Sequence, residues 1–233
     1  VGLRMILVIS SLAVLLPQIR LFFKLTSWPH VVILIDDSTS MSTVDNYRDP
    51  KVKEFAEKLA VEGKLTEAQR LALAQTLLTR HGTDWITELL TQRKVKVHVY
   101  HCSSRAERIT SVTTQSEIPN AIKAIQDLKA SPKNDISKLG TALRQVINDF
   151  EGHSLAGVIM LTDGVTTEGV TVSDVSRFAR KNHIPLFFVG IGDSLERRDI
   201  ELSDLKVADS VLVNDKLVFQ FNVKVKGYGG DPN

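Results

Sequence analysis

The 233-residue sequence predicts an α/β fold, a doubly wound, mostly parallel sheet with helices on both faces. Residues 31–35 (VVILI), 158–161 (VIML) and 184–191 (IPLFFVGI) are short apolar runs. Runs of this length suit strands buried on both faces of a parallel sheet. Between them, apolar residues recur every three or four positions, as in helices that lie on a sheet. Right-handed crossovers joining parallel strands then put helices on either side.

The first element is residues 5–23 (MILVISSLAVLLPQIRLFF). Its uninterrupted apolar part is residues 5–16, because Pro17, Gln18 and Arg20 break the last third. A bilayer takes about twenty residues. Arg20 can snorkel from near the end, and Arg4, Lys24 and Trp28 flank the run as interfacial anchors. The stretch is read as a membrane helix, with its flank covering residues 1–27. A signal peptide and a buried amphipathic helix are the alternatives, although no small-x-small cleavage site follows the run. Basic residues on both flanks leave the orientation open, with an extracytoplasmic soluble domain slightly favoured by the resemblance given below.

Residues 28–200 hold the α/β domain. After the first strand, residues 43–65 are polar and read as an insertion, with a helical pattern at Val52, Phe55 and Leu59. Thr66-x-x-Gln69 has the form of a capping box, opening a helix with Leu71, Ala74 and Leu78 on one face. Residues 94–101 (KVKVHVYH) alternate strictly, which predicts an edge or half-buried strand with Val95, Val97 and Val99 on one side. His98 and His101 are read as surface side chains, since no further ligand lies at metal spacing. Ile118, Ile122, Ile125 and Leu128 mark a helix. Leu139-Gly140-Thr141 opens another, with Leu143, Val146, Ile147 and Phe150 inward. Ser173 is placed as the cap of a helix carrying Val175, Phe178 and Ala179.

The tail, residues 201–233, has a different pattern. Leu217, Phe219, Phe221, Val223 and Val225 alternate with Val218, Gln220, Asn222, Lys224 and Lys226. Period two with a polar face indicates antiparallel pairing. Asn214-Asp215 is a turn signal between this run and residues 210–213. One hairpin cannot bury its own face, so the tail is read as the start of a β-sandwich.

Composition narrows the function. The net charge is +2 and basic residues are dispersed, so no nucleic-acid footprint is present. Lone Cys102 excludes an intramolecular disulfide and any C-x-x-C site, and its strand context makes it a buried apolar residue.

The chemistry gathers where strands end. Asp36, Ser38 and Ser40 form D-x-S-x-S directly after the first strand. Carboxylate and hydroxyl oxygens are hard ligands suited to Mg²⁺, or to a similar hard divalent ion. The alternative for this turn is structural, with Ser38 and Ser40 capping a helix and Asp36 bonded to backbone. Asp163 ends a second buried strand within Thr162-Asp163-Gly164, and Thr141 opens a helix. In a parallel sheet the loops after the strands crowd one edge, so these groups can converge there. Gly140 and Gly164 would permit close backbone approach.

This pattern resembles the von Willebrand factor A domain and its metal-ion-dependent adhesion site, over about residues 31–193. The resemblance implies a binding module rather than an enzyme. In that family the serines bind the metal directly, the threonine directly or through water, and the aspartates often through water. Those roles pass by resemblance to Ser38 and Ser40, to Thr141, and to Asp36 with Asp163. Mg²⁺, Mn²⁺ or Ca²⁺ would be held, and an Asp or Glu of a protein partner would complete the shell. Asp37 should point away from the metal. More loosely, the apolar start and β-rich tail resemble bacterial membrane-anchored proteins in which an immunoglobulin-like module follows this domain.

Two enzyme classes compete. A haloacid-dehalogenase-type phosphotransferase needs a second carboxylate two residues after its Asp, and that residue is Ser38. A dinucleotide fold could use Gly190-x-Gly192, but Leu195 stands where the third glycine belongs.

Overall fold

The structure, a computed structural model, describes residues 2–15, 27–80, 84–130, 137–193, 199–207 and 216–226. Five strands form the central sheet: β1 (His30–Asp36), β2 (Lys96–Cys102), β3 (Ala106–Val112), β4 (Leu155–Thr162) and β5 (Leu186–Gly190). Their order is β3-β2-β1-β4-β5. β1 pairs parallel with β2 and β4, and β4 pairs parallel with β5. The chain leaves β1 toward β2 and later returns to its other side with β4. That reversal makes a switch point at the C-terminal ends of β1 and β4, where α/β sheets open a crevice.

Both faces are covered, as the unbroken apolar strands require. Val32 and Leu34 of β1 pack with α6 (Leu139–Asp149) and α7 (Val172–Lys181), through Leu143, Val146 and Val175. Ile33 and Ile35 face α3 (Arg70–Thr79), α4 (Asp84–Thr91) and α5 (Ile118–Gln126). The polar stretch after β1 contains α2 (Pro50–Glu62), whose start is capped by Asp49 accepting from Lys51 N. Ala56 and Leu59 of α2 pack on Leu73 of α3, adding a further layer.

Several elements differ from the sequence reading. The helix expected from Thr66 begins only at Arg70, with Gln69 as N-cap and no side-chain cap bond. An isolated bridge between Val44 and Gln69 holds Gln69 extended, and Thr66 and Glu67 lie in a bend before it. α7 is capped by Thr171, which accepts from Asp174 N, and Ser173 lies inside the helix. β2 is not an edge strand, because β3 adds antiparallel outside it. β3 (AERITSV) is only partly buried and lacks the apolar run that marks β1, β4 and β5. β5 was expected to be buried, yet Phe187 and Phe188 are 57% and 46% exposed. An apolar run cannot reveal that, among the described residues, β5 has a neighbour on one side only.

His98 is likewise a correction, since it is buried at 6% exposure. Its Nε2 meets His30 Nδ1 at 2.7 Å and its Nδ1 meets Ser111 Oγ at 2.8 Å. The two imidazoles stack at 5.0 Å, and the Phe150 ring lies 5.0 Å from that of His98. Burial, then the charges of His30, Arg108 and Lys96, lower His98 to about 4. Cys102 is fully buried, and burial pushes its thiol well up.

The flanking segments stand apart from this sheet. α1 (Gly2–Leu15) is fourteen residues, about 21 Å long. No described helix is long and apolar enough to cross a membrane. Residues 16–26, with Pro17, Arg20 and Lys24, lie outside the described residues, as do the turn at Asn214-Asp215 and the run 210–213. β6 (Asp199–Lys206) and β7 (Gln220–Lys226) form an antiparallel pair. Ile200 opposes Val225 and Leu202 opposes Val223, so the alternation does place apolar residues on one face.

Candidate metal centre at the sheet edge

The site is built outward from β1. Asp36 is its last residue, paired with Cys102 of β2, and has no solvent exposure. The chain then turns through a short 3-10 segment, Thr39–Ser42, pinned by Met41, which is fully buried. Asp36 Oδ1 accepts from Ser38 N at 3.0 Å and Oδ2 from Thr162 Oγ1 at 2.7 Å. The two carboxylate oxygens thus tie the β1 turn to the end of β4. Burial raises the Asp36 carboxyl above its ordinary value. Hydrogen bonds from Ser38 and Thr162 work against that rise, and the charge of Asp163 adds to it.

Ser38 Oγ and Ser40 Oγ stand 3.1 Å apart. Ser38 occupies the N-cap position of the 3-10 turn but makes no side-chain cap bond. The structural alternative for this turn therefore fails for Ser38, although Asp36 does bond to backbone. Its hydroxyl faces that of Ser40 across the turn.

Asp163 follows Thr162 immediately. Its Oδ1 accepts from Val165 N at 2.9 Å and its Oδ2 from Arg70 Nη1 at 2.8 Å. Gly164 is needed for its backbone, with φ of +80°, rather than for closeness, since nothing lies within 4 Å of where its Cβ would be. Gly140 does serve close approach, because a Cβ there would fall 1.9 Å from Val170 O.

Thr141 sits in the first turn of α6. That helix start reaches the same edge through Lys138 N, which donates to Ser103 O just beyond β2. The Thr141 hydroxyl accepts from Val170 N at 3.2 Å, so it is engaged with the loop before α7. The structure directly joins Asp36, Ser38 and Ser40 by hydrogen bonds, with Asp163 adjacent through Thr162. Thr141 is brought to the edge without a hydrogen bond to the other four.

Asp37 lies on the other side of the turn, where its Oδ2 meets His101 Nδ1 at 2.8 Å. That bond raises the His101 imidazole, against an opposing effect of burial. His101 is thus partnered and partly buried rather than a free surface group.

The donor set has the chemistry of a hard cation site: a desolvated carboxylate, a second one beside it, and hydroxyls that already converge. Among the described residues, no three His, Cys, Asp or Glu side chains gather as a metal site. A site completed by hydroxyls does not need them.

Two contributing residues escaped the sequence reading. Thr162 was noted only as a letter of T-D-G, yet it is the group that joins Asp36 to β4. Arg70 was not singled out at all. A cation in the first turn of a helix opposes the helix dipole, and that local conflict was the available signal.

A five-stranded sheet with D-x-S-x-S after β1 and T-D-G after β4 defines a class. Residues 30–207 match the von Willebrand factor type A domain, and the chain belongs to that family. Among solved structures it is similar to the conserved hypothetical protein BatB from Bacteroides thetaiotaomicron. The identity is 17%, the match covers 85% of this chain and 80% of that one, and the TM-score is 0.50. An aerotolerance-related membrane protein from Bacteroides fragilis NCTC 9343 is 14% identical, over 82% of this chain and 81% of that one, with a TM-score of 0.44. Proximal thread matrix protein 1 from the mussel byssus is 18% identical, over 71% and 39% of the two chains, with a TM-score of 0.45. A search of the curated proteins found no match.

Proposed function

We propose that this chain is a divalent-metal-dependent protein-binding module of a membrane-anchored protein. Ser38, Ser40 and Thr141 would supply neutral oxygens to Mg²⁺, or to Mn²⁺ or Ca²⁺, while Asp36 and Asp163 supply negative charge. Neutral direct ligands leave the ion electrophilic, and an Asp or Glu carboxylate from a protein partner is its natural complement. The observation that carries the reading is the pair of hydroxyls 3.1 Å apart beside a fully buried Asp36.

A phosphotransferase has less support. It requires a nucleophilic Asp and an acid/base carboxylate two residues on, whereas Asp36 is bound by Ser38 N and Thr162 and position 38 is a serine. Membership of a family of interaction modules favours binding over catalysis.

Titration of the metal-free protein with Mn²⁺, followed by electron paramagnetic resonance, is expected to show one bound ion per chain, displaced by excess Mg²⁺ and removed by chelator. No saturable Mn²⁺ binding would refute the metal site.

The membrane proposal rests on α1, where Leu3, Met5, Ile6, Leu7, Val8 and Ile9 are all more than 60% exposed. A helix apolar on every side is stable only when something apolar surrounds it. With Ile19, Leu21, Phe22 and Phe23 adding apolar residues beyond the breaks at Pro17, Gln18 and Arg20, a bilayer is the medium that fits. The loose resemblance to bacterial membrane-anchored proteins slightly favours an extracytoplasmic domain. The chain is expected to float with phosphatidylethanolamine–phosphatidylglycerol vesicles and to resist extraction by high salt. A chain lacking residues 1–27 should stay at the bottom of the gradient. Equal flotation of the two would refute the anchor.

A further inference from the structure

Arg70 reaches across the crevice from the first turn of α3. Its Nε and Nη2 donate to the two oxygens of Asp45 at 2.5 and 2.7 Å, and its Nη1 donates to Asp163 Oδ2 at 2.8 Å. The Arg70 side chain is 11% exposed, and those of Asp45 and Asp163 are 2% exposed. Arg70 N also donates to Thr43 O, which fixes the helix start against the segment bearing Asp45.

A third loop makes room for the guanidinium. Gly192, just past β5, has φ of +123°, and a Cβ there would lie 2.8 Å from Arg70 Nε and 3.1 Å from Asp45 Oδ2. Gly192 of the Gly190-x-Gly192 pair therefore belongs to a socket for an arginine, while a Cβ at Gly190 would meet nothing within 4 Å. This single cation joins the loops after β1 and β4, and the loop after β5 passes close beside it.

We propose that Arg70 sets how Asp163 meets the metal, by holding its carboxylate outside the ion's directly bound shell. This rests on the metal-site reading above. Asp163 Oδ1 is occupied by Val165 N and Oδ2 by Arg70, so both oxygens are oriented by the protein before any ion arrives. A carboxylate oriented at both ends keeps lone pairs that can accept from a metal-bound water, whereas swinging in to bind the ion would break its bonds to Arg70 and Val165. The positive charge of Arg70 also offsets part of the site's negative charge. The ion is bound less tightly than two free aspartates would bind it, and it keeps a bound water that a partner carboxylate can replace. Arg70 is thus a positioning residue that favours carboxylate partners over plain metal storage.

The test counts metal-bound waters by proton relaxation of the Mn²⁺ complex, in the wild type and in R70Q. With Arg70 removed, Asp163 is expected to enter the shell, giving one bound water fewer and Mn²⁺ binding on the order of tenfold tighter. Loss of the cation leaves Asp45 buried and unpaired and could unfold the domain. The double variant R70Q/D45N removes both charges together, preserves net charge, and is expected to show the same loss of one water. A folded variant of either kind that keeps the wild-type number of bound waters overturns the proposal. Failure of the wild type itself to bind Mn²⁺ would instead overturn the metal site, and the role of Arg70 with it.

Discussion

Ser38→Ala is expected to weaken Mn²⁺ binding on the order of 100-fold while leaving the domain folded. The substitution deletes one hydroxyl, 2% exposed, which stands 3.1 Å from Ser40 Oγ and also interacts with the Asp36 carboxylate. The Ser38 N–H that supports Asp36 is backbone and survives the change. Loss of one such hydrogen bond costs about 1 kcal/mol, so cooperative unfolding should persist. Calorimetric titration with Mn²⁺ and a urea melt on the same protein separate the two effects. A variant that binds Mn²⁺ as the wild type does would remove the turn from the site, though not the fold from the family.

Acidification should destabilise the domain through the buried imidazole pair at the opposite end of β1. His98 is lowered from an ordinary value of 6.5 to about 4, with burial the leading cause. Between those values the unfolded chain takes up a proton that the folded one refuses. The stability is therefore complete above the unfolded value and is lost as pH falls through the window from 6.5 to about 4. From pH 7 to pH 5 the loss is about 2 kcal/mol. His30, also lowered chiefly by burial, adds in the same direction. Urea melts at the two pH values measure the change, and His98→Gln, whose amide can still reach Ser111 and His30, should remove this part of the slope. Equal losses in wild type and variant would mean that other groups govern the acid response.

The legible parts of the molecule were those decided by neighbours in sequence. β1, β4 and the helices α5 and α6 follow from apolar runs and from three-to-four spacing, since burial of a strand or helix face leaves its periodicity in the chain. Asp36, Ser38 and Ser40 share one turn, so their proximity needs only local backbone geometry. Cys102 was legible as a buried residue for the same reason, standing in an alternating run that becomes β2.

What stayed hidden depended on partners distant in sequence. His98 looked like an exposed member of an alternating strand, but its fate depends on β3 adding outside β2 and on His30 arriving from 68 residues away. β5 carries an apolar run that promised burial, yet pairing with β4 alone leaves two phenylalanines in the open. The start of α3 was misplaced because Thr66-x-x-Gln69 satisfies a local rule that the Val44–Gln69 bridge overrides.

The sequence by itself determined the class of sheet, the edge at which its chemistry collects, and the oxygen donors of the β1 turn. Each of these is written in periodicity or in adjacent residues. Only the tertiary structure decided how those donors are held. Thr162 reaches Asp36 across 126 positions, and Arg70 reaches Asp163 across 93. A charge is buried only where the fold brings it a counter-charge or hydrogen-bond donors, and no local pattern records which distant residue those will come from.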